Sequence, residues 1–230
     1  LIAKILRFTF FIGFLYFLVS GTKTLAGYSI NQTIFFFLTF NLIDVFAQFF
    51  YREVYRFRPQ VVSGNFDLTL VKPISALFRS LMGGADVIDL ITLPPLIYAV
   101  YYIGQGLAPT LIHTTYYILL LMNGFLIATA FHIAVLALGI ITLEIDHTIM
   151  IYRDFVALGR LPIDIYKEPI KSILTYLIPV GIMVSLPAKA LIGLVSPIGV
   201  ATSFIVGAGS IFFALKFWKF ALKFYTSASS

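Results

Sequence analysis

Few side chains in this sequence could do chemistry, and they are scattered. The chain has no cysteine, and its histidines, His113, His132 and His147, have no carboxylates at the spacing of a metal site. No G-x-x-x-x-G-K-[ST] loop is present to hold the phosphates of a nucleotide. Asp86 and Asp89 are the best carboxylate pair for an enzyme, but no metal-binding residues accompany them. We therefore expect no metal, no cofactor and no catalytic site in this chain.

Three ionisable residues lie inside apolar runs, where a charge is costly unless it faces protein or water. Asp44 shares a helical face with Asn41 and Gln48, at spacings of three and four. Arg153 and Asp154 are adjacent, so on a helix they are expected to point apart toward different neighbours. Two interpretations stay open for Asp44, Arg153 and Asp154: polar contacts between helices, or the lining of a polar path.

The elements that carry these residues are predicted to be membrane helices. Hydrophobic residues make up 60% of the 230 residues, charged residues 11%, and the mean hydropathy is +0.99. That composition leaves too little polar surface for a soluble protein of this size. The apolar runs are continuous, which indicates helices, since barrel strands would alternate. The net charge of +6 comes from cations that flank the apolar runs, which fits membrane lipids as partners and excludes nucleic acid.

Six membrane crossings are predicted within a single transmembrane domain, residues 1–230. About 20 apolar residues cross a bilayer about 30 Å thick. Five crossings are assigned to 5–20, 33–50, 87–103, 111–143 and 197–220. The remaining crossing is either 144–161, which holds Arg153, Asp154 and Arg160, or 170–186. The latter is short, carries Lys171 near its start, is interrupted by Pro179 and is followed by Pro187. A stripe of Gly199, Ser203 and Gly207 on the last span indicates close packing within the subunit, with a dimer contact as the alternative.

The distribution of lysine and arginine orients the spans. Residues 51–80 hold five cations, Arg52, Arg56, Arg58, Lys72 and Arg79, and the end of the last span holds three, Lys216, Lys219 and Lys223. The opposite loops, 21–31 and 104–109, hold only Lys23. The positive-inside rule then places residues 51–80 and both termini in the cytoplasm, with the chain in a bacterial-type plasma (inner) membrane.

The stretch YREVYRFRPQVVSGNFDLTLVKP, residues 51–73, is unusually polar and patterned for a loop between two spans. Apolar residues recur between its charges, and Gly64-Asn65 predicts a turn between short helices. One interpretation is an interfacial segment whose cations reach lipid headgroups. The other is an amphipathic element that docks into a groove on a soluble partner.

Three motifs in series carry a resemblance to one family of membrane proteins. The first is RPQVVSGNFDLTLVKPISALFRSL, residues 58–81, with matches at Gly64, Asp67, Lys72 and Pro73. The second is GRLPIDIYKEPIKSILTYLIPVGIMVSLPAKALIG, residues 159–193, with matches at Pro162, Ile163, Asp164, Tyr166, Pro179, Pro187 and Ala188. The third is WKFALKFYTSASS, residues 218–230, with the pattern Trp-x-x-Ala-Leu-x-x-Tyr-x-Ser-Ala-x-Ser. In this order they resemble the cytoplasmic loop, the exit from the fifth span and the tail of ATP-binding-cassette (ABC) type-2 permeases of a six-span, exporter-type branch.

The resemblance implies a fold and a set of partners. Residues 144–161 would make the fifth crossing, and residues 162–197 an external re-entrant helical hairpin with gate residues Pro162, Asp164, Pro179 and Pro187. The protein would be the permease subunit of an exporter, with ATP and Mg²⁺ bound by separate ATPase subunits. A second permease subunit is implied, for which a related chain is favoured over a copy. An N-terminal interfacial helix is expected before Leu1, and the C-terminus is expected to be native.

The resemblance also implies that residues 51–80 are moved by an ATPase, and we call these residues the coupling segment. The residues assigned to ATPase coupling are Arg58, Val62, Gly64, Phe66, Asp67, Lys72 and Pro73. The ring of Phe66 is expected to anchor the ATPase, and Arg58 and Asp67 to set the register. Asp67→Arg is expected to uncouple transport and weaken ATPase retention while the permease still folds. The alternative for Asp67 is the N-cap of a helix from Leu68 onward.

Two other functions stay open. An ion-gradient-driven secondary transporter or channel predicts inverted repeats and convergent acids at the midplane. The sequence shows no convincing repeat, and its acids are scattered. A membrane enzyme that modifies lipids would use Asp86 and Asp89. The transported substrate is left open by every motif.

Overall fold

The computed structural model describes residues 2–142 and 145–226, and this part of the chain is helical without any strand. The predicted start of the fifth crossing at 144 and the last four residues of the tail lie outside the described residues. The long helices are α1 (Ile2–Thr22), α2 (Ile30–Phe50), α6 (Val87–Gly106), α7 (Leu111–Thr142), α8 (Ile145–Ala157) and α11 (Pro197–Ala221). The prediction of an all-α protein is confirmed.

Between α2 and α6 the coupling segment forms four short helices. They are a 3₁₀ helix (Arg52–Arg56), α3 (Phe57–Val62), α4 (Asn65–Leu70) and α5 (Ala76–Met82). Between α8 and α11 lie two 3₁₀ turns (Leu158–Arg160 and Ile163–Ile165) and a helical hairpin. Its first arm joins α9 (Ile170–Ser172) to the π-helix Ile173–Leu177, and its second joins the π-helix Gly181–Ser185 to α10 (Leu186–Leu191).

Four of the described helices are long and apolar enough to cross a membrane. They are Ile30–Phe50, Val87–Gly106, Leu111–Thr142 and Pro197–Phe224. The hairpin arms, Ile170–Leu177 and Gly181–Leu191, would count as one more span if the 78° bend between them is a break within it. The apolar part of α1, Phe8–Thr22, is shorter. The six-span layout therefore stays a prediction, while a multi-pass arrangement of four to five spans is supported.

Neither predicted option for the fifth crossing is a straight membrane helix. The 13 residues of α8 rise only about 20 Å, which is less than the roughly 30 Å of a hydrocarbon core. The other option is the bent hairpin. The start of its second arm lies against the middle of α7, since a Cβ on Gly124 would lie 2.5 Å from the carbonyl oxygen of Met183. Just after that arm, Gly193 packs on the ring of His113 near the start of α7.

The central helix of the bundle is α7, which packs against α2, α8, α10 and α11. Asn123 joins it to α11, because its side-chain Nδ2 donates to the carbonyl oxygen of Ser203 at 2.9 Å and to its Oγ at 2.8 Å. Gly207 makes room for that amide, since a Cβ there would lie 2.0 Å from Asn123 Oδ1. The small residues Ser203 and Gly207 thus pack within the subunit, as predicted.

Candidate functional site

The coupling segment is an ordered unit at the end of the bundle where α2 and α11 finish. The backbone of Gly64 has φ +75°, in the left-handed region that glycine adopts without a steric penalty. It separates α3 from α4, so the predicted turn at Gly64-Asn65 is confirmed. Glu53 ties the unit together, because its carboxylate accepts a 2.5 Å hydrogen bond from Gln60 and lies 3.9 Å from Arg56.

The glycines that follow α5 make room for Glu53. A Cβ on Gly84 would lie 2.8 Å from Glu53 Oε2, and one on Gly83 would lie 3.2 Å from Glu53 Cγ. The Glu53 side chain is nearly buried, at 11% exposed, so its hydrogen bond to Gln60 is needed to offset desolvation. Sequence reasoning missed Glu53, because Gly83 and Gly84 lie thirty residues or more away along the chain and only the fold brings them together.

The inner side of the coupling segment is an aromatic cluster shared with the end of α11. The rings of Phe57 and Phe66 are fully buried and meet edge to face at 5.0 Å. Phe66 also meets Tyr225 edge to face at 5.1 Å, and Trp218 lies 6.4 Å from both phenylalanines. Each such aromatic pair contributes about 0.5–1.5 kcal/mol beyond the burial of area. The end of the last span therefore holds the coupling segment in place.

Asp67 belongs to the same contact. It lies in the first turn of α4 after Gly64, which precedes the helix, so the alternative that Asp67 is an N-cap is wrong. Its Oδ1 accepts a 2.8 Å hydrogen bond from the hydroxyl of Tyr225. Burial, and next the hydrogen bond to Asp67, raise the pKa of Tyr225 to about 12, so the hydroxyl stays a donor at neutral pH. Sequence reasoning placed Asp67 and Tyr225 in separate motifs and missed their contact.

The outer side of the coupling segment carries exposed apolar side chains. We call the residues Val62, Leu68, Leu70, Val71, Ile74 and Phe78 the coupling surface. Val71 is 79% exposed, Leu68 59% and Phe78 56%. Arg58, Lys72 and Pro73 are exposed beside them, and the Nη1 atom of Arg58 lies 3.6 Å from Asp146 Oδ2 at the start of α8. Because the ring of Phe66 faces inward, it cannot be the anchor that an ATPase contacts in this conformation.

A polar cleft brings together the ionisable residues of the apolar runs. It has a volume of about 200 Å³ and is lined by Asp44 of α2 and by Arg153, Asp154 and Arg160 of the segment that begins with α8. Gln48 Nε2 donates a 2.8 Å hydrogen bond to Asp44 Oδ2. Arg153 and Asp154 both line this cleft, and the expectation that their side chains point apart toward different neighbours stays a prediction. Adjacent helical residues differ by about 100°, which one wide cleft can accommodate.

One of the predicted gate residues, Asp164, lies toward the opposite end of the bundle, where the loop before α2 meets the hairpin. Its carboxylate receives Lys171 Nζ at 2.8 Å, Lys189 Nζ at 2.6 Å and the hydroxyl of Tyr28 at 2.8 Å. These partners come from the two arms of the hairpin and from the loop before α2. Sequence reasoning singled out Asp164 but did not pair it with these residues, since Tyr28 and Lys189 lie far from it along the chain.

The predicted proline positions shape this hairpin. Pro162 precedes the 3₁₀ turn Ile163–Ile165, Pro179 lies between the two arms at their bend, and Pro187 lies in the first turn of α10. Pro179 therefore precedes the second arm, and Pro187 lies within it, where its missing N–H cannot take part in the helical hydrogen bonding. Asp164 joins the two arms to each other.

Asp86 and Asp89, the pair considered for an enzyme, have different roles in the structure. Asp86 caps α6, because its Oδ1 accepts from the backbone N–H of Ile88 at 2.9 Å, and its Oδ2 lies 3.5 Å from Arg52 Nε. Asp89 is fully buried within the first turn of α6. Capping and ion pairing account for Asp86 without catalysis.

The amino-acid sequence matches one known protein family. A model described as "ABC-2 family transporter protein" matches residues 4–229, which is nearly the whole chain. The chain belongs to the ABC-2 transporter family. No curated protein and no solved structure matches it. ABC-2 permeases are membrane proteins that work with ABC ATPase partners, and the matched region includes the coupling segment, the hairpin and the Trp218–Tyr225 end of the last span.

In this ABC-2 protein, the Asp164 contacts predict a specific pH dependence. Burial alone would raise the pKa of Asp164, but hydrogen bonds from Lys171, Lys189 and Tyr28 outweigh it and lower the pKa from 3.8 to about 2. A lowered pKa stabilises the folded state above the unfolded value, and this stabilisation is lost as the pH falls through the folded value. Asp164→Asn should therefore melt at a lower temperature than the wild type at pH 7, and the gap should close between about pH 4 and pH 2.

The measurement is thermal unfolding in detergent across that pH range. Glu168→Gln is the matched control, because Glu168 is exposed nearby and its carboxylate accepts a hydrogen bond from the backbone N–H of Ser172, at 3.1 Å, and none from Asp164's partners among the described hydrogen bonds. A gap between wild type and Asp164→Asn that is the same at pH 7 and pH 2.5 would show that the carboxylate charge does not hold the hairpin.

Proposed function

We propose that this ABC-2 protein is the permease subunit of an ATP-driven exporter, and that separate ATPase subunits contact it through the coupling surface. One observation carries the proposal. The coupling segment exposes Leu68, Val71 and Phe78 on its outer side, while buried Phe57 and Phe66 fix its inner side. A pre-ordered apolar surface at the end of a membrane bundle suits a partner groove, because little ordering cost remains to be met on binding.

The contacts behind the coupling surface connect it to two parts of the bundle. Arg58 reaches Asp146 at the start of α8, and the aromatic cluster with Tyr225 and Trp218 reaches the end of α11. In the proposal, closure of the ATPases displaces the coupling segment, and these contacts pass the displacement to α8 and α11. The Arg58 pair is half-exposed, so it contributes little energy, and the buried aromatic contacts carry most of the mechanical connection.

In the proposal, the polar cleft marks the position of the translocation path. Arg153, Asp154 and Arg160 are exposed in this single chain, and insertion scales assign about 2.5–3.5 kcal/mol to such a charge at the centre of a membrane helix. We therefore propose that this face of α2 and α8 is covered by a second permease subunit, a related chain in preference to a copy. The cleft with Asp44 then lines a polar path between the two subunits.

The Asp164 contacts support an outer gate. In the proposal the bent hairpin lies on the external side and enters the membrane as far as the middle of α7. Asp164 holds its two arms to each other and to Tyr28. Release of substrate to the outside would require these contacts to open. The orientation rests on the positive-inside rule, which puts the coupling segment in the cytoplasm.

The test changes the coupling surface without touching the interior. Leu68→Glu/Val71→Glu places two charges on exposed positions of the coupling surface, so the permease should fold normally. We expect a soluble chain with a phosphate-binding loop, identified by mass spectrometry, to co-purify with the wild type. In the double variant its recovery should fall by about tenfold or more, since charges at the centre of an apolar interface typically cost over 1 kcal/mol.

The matched control is Leu111→Glu/Leu194→Glu, two comparably exposed leucines at the other end of the bundle. It should keep the ATPase. Retention of the ATPase by Leu68→Glu/Val71→Glu would contradict the proposal and favour the interfacial interpretation, in which the coupling surface lies against lipid headgroups. A wild-type protein that purifies alone and shows ion-dependent transport in vesicles would favour the secondary transporter.

A further inference from the structure

An apolar groove lies between α7, α11 and the bend of the hairpin. Its volume is about 700 Å³, and aromatic and aliphatic side chains such as Phe131, Leu177 and Phe213 line it. Ser210 and Tyr176 supply the only side-chain hydroxyls among its lining residues. Such a lining suits a hydrocarbon chain and offers almost nothing to a polar ligand.

The depth of the groove matches one leaflet of a bilayer. Its lining residues on α11 begin at Val206 and end at Phe217, a rise of about 16 Å, which is half of a hydrocarbon core about 30 Å thick. Leu177 and Pro179 at the bend of the hairpin line one end. The other end lies toward Trp218 and Tyr225, where α11 meets the coupling segment.

Three lysines follow at that second end. Lys216, Lys219 and Lys223 are exposed, and none of them makes an ion pair with a described residue. The Nζ atom of Lys216 lies 5.6 Å from the centre of the Phe212 ring, beside the groove residue Phe213. Cations without acidic partners at the level of the headgroups attract anionic lipid.

We propose that the groove binds a phospholipid with an anionic headgroup, from the leaflet on the side of the coupling segment. One acyl chain occupies the groove up to the bend of the hairpin, and the phosphate interacts with Lys216, Lys219 and Lys223. The groove has the length of one leaflet and ends at cations, so it fits this amphiphile better than a through-membrane substrate. The inference does not depend on the ATPase or on the direction of transport.

A groove-filling variant tests the acyl-chain part. Apart from its two chain neighbours and the backbone of its own helix, a Cβ on Gly209 would meet no heavy atom within 4 Å. Gly209→Trp should therefore fill the groove without disturbing the packing of α11. Gly13→Trp is the matched control, since Gly13 on α1 is equally open and does not line the groove. Purified protein would be analysed for bound phospholipid by native mass spectrometry. Gly209→Trp should lose one bound phospholipid, and Gly13→Trp should keep it.

A charge variant tests the headgroup part. Wild-type protein should melt at a higher temperature with phosphatidylglycerol than with phosphatidylcholine in mixed micelles. This preference should be lost in the triple variant Lys216→Gln/Lys219→Gln/Lys223→Gln, with a loss of about fivefold in affinity for the anionic lipid per lysine. The control variant Lys23→Gln/Lys167→Gln, which changes lysines at other sites, should keep the preference. An unchanged lipid count in Gly209→Trp, or equal effects of the two lipids on the wild type, would overturn the proposal. A change of oligomeric mass in Gly209→Trp would overturn it in favour of an interface between copies.

Discussion

Phe66→Ala is expected to loosen the whole coupling segment while the membrane helices stay folded. The Phe66 ring is fully buried against Phe57, Trp218 and Tyr225, so alanine leaves a cavity where the segment meets α11. Truncation of a buried phenylalanine costs about 3–5 kcal/mol. At about 3 kcal/mol the open population of the segment rises about a hundredfold. Binding of an ATPase should weaken accordingly, because the coupling surface would have to be ordered again on contact.

Hydrogen exchange measures this prediction directly, since amides of α3 and α4 should exchange faster while those of α7 should not change. Phe78→Ala is the matched control within the same segment, because the ring of Phe78 is 56% exposed. It should leave exchange unchanged and still weaken ATPase recovery if the coupling surface makes the contact. If the amides of α3 and α4 in Phe66→Ala exchange at the wild-type rate, the aromatic cluster does not hold the segment.

Gly207→Ala is expected to disrupt the packing of α7 against α11. The added Cβ would lie 2.0 Å from Asn123 Oδ1, so the amide must leave its two hydrogen bonds to Ser203. Overpacking costs about 1–3 kcal/mol, and each interhelical hydrogen bond in a membrane contributes about 0.6 kcal/mol. A loss of about 3 kcal/mol follows, which should appear as a lower melting temperature and a lower yield of folded protein.

Two variants isolate the cause of that loss. In Gly209→Ala, two residues away on α11, the new Cβ would meet no heavy atom within 4 Å apart from its chain neighbours and its own helix backbone. This variant should leave the melting temperature unchanged. Asn123→Ala should partly rescue Gly207→Ala by removing the amide that the new methyl group meets. Effects of Asn123→Ala and Gly207→Ala that simply add would contradict a steric conflict between the two positions.

The coupling segment shows how far sequence patterns reach. The sequence predicted an ordered segment with a turn at Gly64, because the left-handed conformation at that position favours glycine. It could not predict which aromatic rings face inward. Phe66 and Phe78 are both apolar residues in an amphipathic stretch, and only the position of α11 makes one ring buried and the other exposed.

The same limit applies to the polar residues. The sequence indicated that Asp44, Arg153, Asp154 and Asp164 need partners, because charges in or near hydrocarbon are costly. The partners themselves depend on distant segments: Tyr28 for Asp164, and one shared cleft for Asp44 and Arg153.

The sequence by itself determined that this protein is helical, membrane-embedded and a member of the ABC-2 transporter family. Composition, continuous apolar runs and local motifs carry that information, because each depends only on residues close together along the chain. Tertiary structure alone decided that Tyr225 donates to Asp67, that Asp164 joins both arms of the hairpin, and that Phe66 faces inward. Contacts between residues far apart in sequence depend on how helices pack, and a pattern along one helix does not specify its neighbour.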